Sequence, residues 1–255
     1  MRIVFFGSPD FALPSLEGLL AAGHEVALVV SQPAKPVGRS AELLDPPVAR
    51  RAKELGLPVF QPPTLKDDAA VARLADVRAD LFVVVAYGKI LAQRVLDLPR
   101  LGCVNVHGSV LPRWRGASPV QAALLAGDAE SGVSIMRMEA GMDTGPVYAV
   151  ARSPIGARED AGALSARLAR EGAELLVTTL PRIEAGAAVP EPQDDALATL
   201  CPKIRREDGQ ADFSLPAEEL VNRLRAFTPW PGLFAFRAGR RVKLLAARAV
   251  AGLVA

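Results

Sequence analysis

The chain has 255 residues, apolar side chains at half of its positions and a formal net charge of only +2. That balance supports a packed core and excludes long-range disorder, and the arginines are spread along the sequence instead of forming a dense basic tail. Cys103 and Cys201 stand alone, without partners at metal-ligand spacing, which excludes a disulfide framework, suits a reducing cytoplasm and leaves no metal site to expect.

Ile3–Phe6 is a short β-branched and aromatic run, read as a buried strand, and Gly7-Ser8-Pro9-Asp10 ends it too early for a secretory signal. A helix follows through Leu13, Leu16 and Leu20 to Gly23, then a strand at Val26–Val30. The alternation continues with a helix near Pro47–Leu55, a strand at Pro58–Phe60, a helix at Asp67–Leu74 and a strand at Leu81–Val85. The apolar run Leu81–Tyr87 is the longest, far below the ~20 residues a membrane helix needs. Next come a helix at Ile90–Leu96, a strand at Gly102–Val106 and a helix from Ser118 to Ala126. Gly132–Met138 and Pro146–Ala151 read as strands and Ala161–Ile183 as a long helix.

This spacing predicts an α/β fold: a Rossmann-like, mostly parallel sheet flanked by helices over residues 1–184. A linker rich in Ala, Pro and acidic residues is expected at 185–206. A small, incomplete β-rich unit is expected at 207–255, with a helix at Ala217–Arg225 and a hairpin of Leu233–Phe236 and Val242–Leu245 joined through Gly239. Forty-nine residues are few for an independent core, so this unit should lean on the rest with open strand edges.

The loop at Gly7 lacks the G-x-G-x-x-G glycines that admit a pyrophosphate, which argues against NAD or FAD. The informative segment is residues 105–116, NVHGSVLPRWRG. Asn105 and His107 alternate at the carboxyl end of a strand, so they project to one face, where open α/β sheets bind ligands. A lone histidine is often structural, and Asp143, between Gly141 and Gly145, serves equally as a turn former or as a base held on a loop.

Residues 105–116, GDAESGVSIM from Gly127 and GMDTG from Gly141 together resemble the folate-dependent formyltransferase family, whose acceptors are glycinamide ribonucleotide, amino sugars or methionyl-tRNA. The resemblance implies 10-formyltetrahydrofolate as formyl donor and Asn105, His107 and Asp143 as the catalytic trio. It further implies a folate site at Ser109, Val110, Leu111 and Pro112, where valine replaces the family's usual leucine at 110. The main chain at Ala86, Tyr87 and Gly88 would hold the pterin. RWRGASPVQ from Arg113, RAFTPWP from Arg225, the Ser31-Gln32-Pro33 turn and LPVFQP from Leu57 are most similar to the members that act on initiator methionyl-tRNA, so formylation of its α-amino group for translation initiation is the implied reaction.

An amino-sugar nucleotide formyltransferase is the alternative within the family, and a non-catalytic folate-binding module the alternative outside it. Lys35, Arg39, Arg113 and Arg115 are the candidate tRNA contacts, and residues 33–45 are expected to form an acceptor-side loop that orders on tRNA. That loop reads SAELL from Ser40 where tRNA-directed members carry lysines, and Ala255 falls short of the family's usual carboxyl end; both features imply weak, salt-sensitive tRNA binding. A cytoplasmic monomer is expected.

Overall fold

A computed structural model describes residues 1–37 and 42–250. β1 (Arg2–Gly7) lies inside a seven-stranded sheet of order β10-β9-β7-β6-β1-β2-β5. From β1 the chain moves outward through β2 (Glu25–Val30) to β5 (Val59–Phe60), all parallel. It then returns to the other flank of β1 as β6 (Leu81–Val85) and β7 (Cys103–His107), also parallel. β9 (Glu130–Arg137) and β10 (Val147–Pro154) close that side in antiparallel pairing. The direction of strand addition reverses between β1 and β6, which opens a crevice at the carboxyl ends of these strands.

Both faces of the sheet are covered, so strand parity sorts side chains into two cores. Ile3, Phe5, Leu81, Val83, Val104 and Val106 pack against α1 (Leu13–Ala21), α5 (Pro119–Leu125) and α6 (Ala161–Glu184). Val4, Phe6, Phe82, Val84 and Cys103 face α3 (Asp68–Asp76) and α4 (Gln93–Leu96), while α2 (Pro47–Glu54) joins the first core through Val48 and Ala52. Each such side chain contributes about 1.5–3 kcal/mol by leaving water.

α6 forms because Leu164, Leu168, Gly172, Leu176 and Leu180 repeat every four residues and Asp160 caps its amino end, accepting from the Ala163 N–H at 2.9 Å. Gly172 lets the helix sit close on the sheet: a Cβ there would meet Val106 Cγ1 of β7 at 2.9 Å and Val133 Cγ1 of the adjoining β9 at 3.0 Å. Gly172→Leu is therefore expected to cost about 1–3 kcal/mol by overpacking. A thermal melt should shift down by roughly 2–12 °C; an unchanged melt would show that the helix can lift at no cost.

Several elements differ from the sequence reading. The helix expected at Ile90–Leu96 starts only at Gln93, because Ala92 is extended (ψ 155°) and leaves Ile90 exposed. Within 33–45, β3 (Lys35–Val37) and β4 (Glu42–Leu44) pair antiparallel, so both ends of the expected loop are a ribbon; residues 38–41 lie outside the described residues. A further short pair joins β8 (Arg115–Gly116) to β11 (Leu200–Cys201), which no periodicity signalled.

Beyond it α7 (Ala217–Ala226) packs on α5, and Leu224, Ala226, Phe227 and Leu233 enter the same core as the sheet. β12 (Phe234–Arg237) and β13 (Arg240–Lys243) form the expected hairpin. Its second strand starts earlier than the expected Val242, because Ala238 (φ 47°) and Gly239 (φ 74°) turn the chain in two residues and fix the register at Arg237–Arg240.

Candidate active site

β7 ends at the crevice beside the switch point and carries Asn105 and His107 on one face, the face of Cys103. His107 is 6 % exposed, and its Nε2 lies 2.9 Å from the Trp114 carbonyl. A carbonyl only accepts, so Nε2 carries a hydrogen and Nδ1 is the nitrogen left to gain or lose a proton. Nδ1 lies 3.7 Å from Asp143 Oδ2. That same carboxylate oxygen accepts the Gly116 N–H at 2.8 Å, which fixes its direction. Asn105 Oδ1 is buried and has no hydrogen-bond partner among the described residues. A buried unsatisfied amide oxygen costs about 1–3 kcal/mol, so an incoming N–H would find a ready acceptor there.

Two members of this arrangement sit in left-handed backbone conformations that non-glycine residues rarely adopt: Trp114 at φ 62° and Asp143 at φ 55°. Each costs about 1–3 kcal/mol unless its surroundings impose it. For Trp114 the surroundings are Thr199 Oγ1, which accepts its N–H at 2.9 Å, and Asp128, which accepts its indole N–H at 2.8 Å. For Asp143 they are Gly116 and Gln193, whose Nε2 donates to the Asp143 carbonyl at 2.8 Å and to the Gly145 carbonyl at 2.7 Å. Cys201, in β11, lies close by with Sγ 3.4 Å from the Trp114 carbonyl. Burial above all, aided by the charge of Asp143 and opposed by its bond with Ser118, pushes that thiol up, so it stays a neutral S–H donor.

The loop after His107 is satisfied internally. Ser109 is buried and its Oγ donates to the Arg113 carbonyl at 2.6 Å. Ser134 Oγ donates to the Ser109 carbonyl at 2.8 Å and accepts the Leu111 N–H at 3.1 Å. Val110 rests over Gly132 of β9, Leu111 is buried, and the Leu111–Pro112 peptide is cis.

Across the switch point, Ala86 (φ 47°) and Gly88 (φ 78°) are exposed, and Gln32 Nε2 donates to the Tyr87 carbonyl at 2.8 Å. Tyr87 points the other way: its ring is 1 % exposed, packs edge-on to Phe6, and burial pushes its hydroxyl up to about 12. Only Ala86 and Gly88 of this turn are therefore open to solvent; Tyr87 is core. Among the described residues no group of three or more His, Cys, Asp or Glu side chains is placed to hold a metal ion.

The cationic candidates have different surroundings. Lys35 is exposed, with Nζ 2.9 Å from Gln32 Oε1. Arg113 is exposed, forks onto Asp128 at 2.7 and 2.9 Å and stacks on Trp114. Arg39 lies outside the described residues. Arg115 is corrected: it is 6 % exposed, and its guanidinium is held by Gln193 at 3.0 Å and Asp195 at 2.7 Å, leaving no face for a phosphate.

A cationic cleft that the sequence reading did not name lies in the carboxyl-terminal unit. Arg206, Arg241 and Lys243, with Trp230 and Pro231, line an open cavity of about 420 Å³. The signal was present as Arg205-Arg206 and Arg240-Arg241 beside aromatic residues, but these are far apart in sequence, and only the hairpin brings them together.

The fold is an open, mostly parallel sheet with an amide and an imidazole at one strand end and a carboxylate on the loop facing them, the arrangement of a group-transfer enzyme without a dinucleotide loop. Residues 1–180 match the family model described as "Formyl transferase", and residues 203–253 match "Formyl transferase, C-terminal domain": the chain belongs to the formyl transferase family. Within it, the chain is 48 % identical to the methionyl-tRNA formyltransferase of Stutzerimonas stutzeri, over 100 % of this chain and 82 % of that one. It is 51 % identical to the methionyl-tRNA formyltransferase of Halorhodospira halophila, over 98 % of this chain and 81 % of that one. Among solved structures, a sugar N-formyltransferase from a Shewanella species superposes with a TM-score of 0.74 over 99 % of both chains at 14 % identity, a likeness of fold alone. No helix of the described residues is long and apolar enough to cross a membrane.

Proposed function

We propose that this chain transfers the formyl group of 10-formyltetrahydrofolate to the α-amino group of initiator methionyl-tRNA, working in the cytoplasm as a monomer, with Asn105, His107 and Asp143 at the reacting atoms. The observation that carries the site is the His107–Asp143 pair: one imidazole nitrogen is tied to the Trp114 carbonyl and the other is left facing a carboxylate 3.7 Å away. Likeness to methionyl-tRNA formyltransferases over nearly the whole chain carries the acceptor.

The formyl donor is a substrate, and the residues suited to it are the 86–88 turn, exposed at Ala86 and Gly88, and the 109–112 loop. When the amine attacks the formyl carbon, its oxygen takes negative charge. Asn105 Nδ2–H and His107 Nδ1–H are the donors for that oxygen, and Asn105 Oδ1 accepts an amine N–H. Because Nε2–H is already committed to Trp114, His107 can donate to that oxygen only from Nδ1, the nitrogen that faces Asp143. Asp143 then takes the amine proton, directly or through one water, and the folate nitrogen gains a proton as its bond to carbon breaks.

Purified protein, 10-formyltetrahydrofolate and each of methionyl-tRNA, glycinamide ribonucleotide and an amino-sugar nucleotide should give formylation of the first alone. Turnover on the sugar nucleotide with none on the tRNA would replace this reading.

The Arg206, Arg241 and Lys243 cleft supplies phosphate contacts on this reading. Changing all three to Ala should weaken tRNA binding and lower the slope of log K against log salt by roughly 2–3, because each phosphate contact contributes about 0.7–0.9. Folate affinity should not move. An unchanged salt slope in a filter-binding series would take these three residues out of the tRNA surface.

A further inference from the structure

The segment after α6 reads as a spacer in sequence, yet residues 191–201 lie along both loops of the active site. Glu191 and Val147 exchange two backbone hydrogen bonds of 2.8 Å just past the Asp143 loop. Gln193 Nε2 donates to the carbonyls of Asp143 and Gly145, while its Oε1 accepts from Arg115 Nε at 3.0 Å. Asp195 accepts from the same guanidinium. Thr199 takes the Trp114 N–H on its hydroxyl and the Arg115 N–H on its carbonyl, the latter at 2.9 Å. Cys201 then accepts the Ala117 N–H at 3.1 Å, completing the β8–β11 pair.

Trp114 supplies the carbonyl that holds His107, and Asp143 supplies the carboxylate that faces it. Both residues occupy left-handed backbone conformations, and one strap holds both. We propose that Gln193 is a positioning residue for formyl transfer, acting through Asp143, and that residues 191–201 form a clasp setting the His107–Asp143 geometry. This rests on the assignment of Asp143 to the reaction made above.

The chemistry of the clasp is specific to an amide side chain. Gln193 must donate from one end to two carbonyls and accept from a buried guanidinium at the other, which neither a carboxylate nor an aliphatic chain can do. Gln193→Met keeps length and volume and loses every one of these bonds. Gln193→Glu keeps the acceptor for Arg115 and places an oxygen against the two carbonyls.

In the full chain, Gln193→Met should lower kcat about tenfold or more, since misplacing a catalytic group by 1 Å can cost 10²-fold. KM for both substrates should stay within about twofold, because neither binding loop is touched. Gln193→Glu should lose at least as much. A merely structural role would reduce the folded fraction and act on any background. A positioning role predicts instead that Gln193→Met costs less than about twofold once Asp143→Asn is already present. Wild-type kcat in both Gln193 variants, or a full additional loss on the Asp143→Asn background, would overturn the proposal. If Asp143→Asn alone retained full turnover, the assignment of Asp143 would fall and this proposal with it, whereas a damaging Asp143→Asn beside a silent Gln193→Met would overturn the clasp alone.

Discussion

Asn105→Ala and His107→Gln are each expected to lower kcat at least about 10²-fold while leaving folate affinity within a few-fold. The expectation follows from where the hydrogen bonds go. Asn105 Oδ1 is buried and unmatched among the described residues, so that oxygen is free to serve the reacting atoms. Losing one donor to a developing oxyanion is typically worth about 3–4 kcal/mol. Glutamine at 107 can still donate to the Trp114 carbonyl, as His107 Nε2 does at 2.9 Å, but has no second nitrogen to place opposite Asp143. Single-turnover formylation separates chemistry from binding, and folate affinity by fluorescence or calorimetry checks that the pocket survives. Turnover within tenfold of wild type in either variant would remove that residue from the reacting atoms.

Much of this site was legible in the sequence because strand periodicity is local. Cys103, Asn105 and His107 alternate with Val104 and Val106, so one face of β7 had to be polar at its carboxyl end whatever the rest of the chain did. The buried runs of β1 and β6 were legible for the same reason. What stayed hidden depends on contacts between distant segments. Gln193 and Thr199 sit in a stretch of weak periodicity, and their roles exist only because β11 pairs with β8 some 85 residues away. Arg115 shows the converse. In sequence it is one of two cations flanking a tryptophan, and nothing local says that Asp195 and Gln193 come to bury it. Tyr87 shows a third case: the direction of its ring is set by Phe6 on the neighbouring strand, which nothing in its local sequence reveals.

Gly145→Ala is expected to be nearly as damaging to turnover as loss of a catalytic group, although residue 145 itself offers no chemistry. A Cβ at this position would lie 1.9 Å from the Arg137 carbonyl oxygen and 3.0 Å from its carbon, and a backbone carbonyl cannot swing aside. That approach is what docks the Asp143 loop on the end of β9, where the Arg137 N–H also donates to the Pro146 carbonyl at 2.9 Å. A methyl group must push the loop outward, carrying Asp143 from its present 3.7 Å separation from His107 and the Gly145 carbonyl from its bond with Gln193. A displacement of about 1 Å can lower kcat 10²-fold, and the accompanying strain of about 1–3 kcal/mol should bring the melting temperature down by roughly 2–12 °C. Folate affinity should hold, because a Cβ at 145 meets only Arg137 and Met136 and touches neither the 86–88 turn nor the 109–112 loop. Gly156→Ala is the matched control: a Cβ there meets nothing nearer than Glu159 Cβ at 3.3 Å, and its turnover should stay close to wild type. Equal kcat for Gly145→Ala and Gly156→Ala would mean that the Asp143 loop does not need its dock on β9 to work.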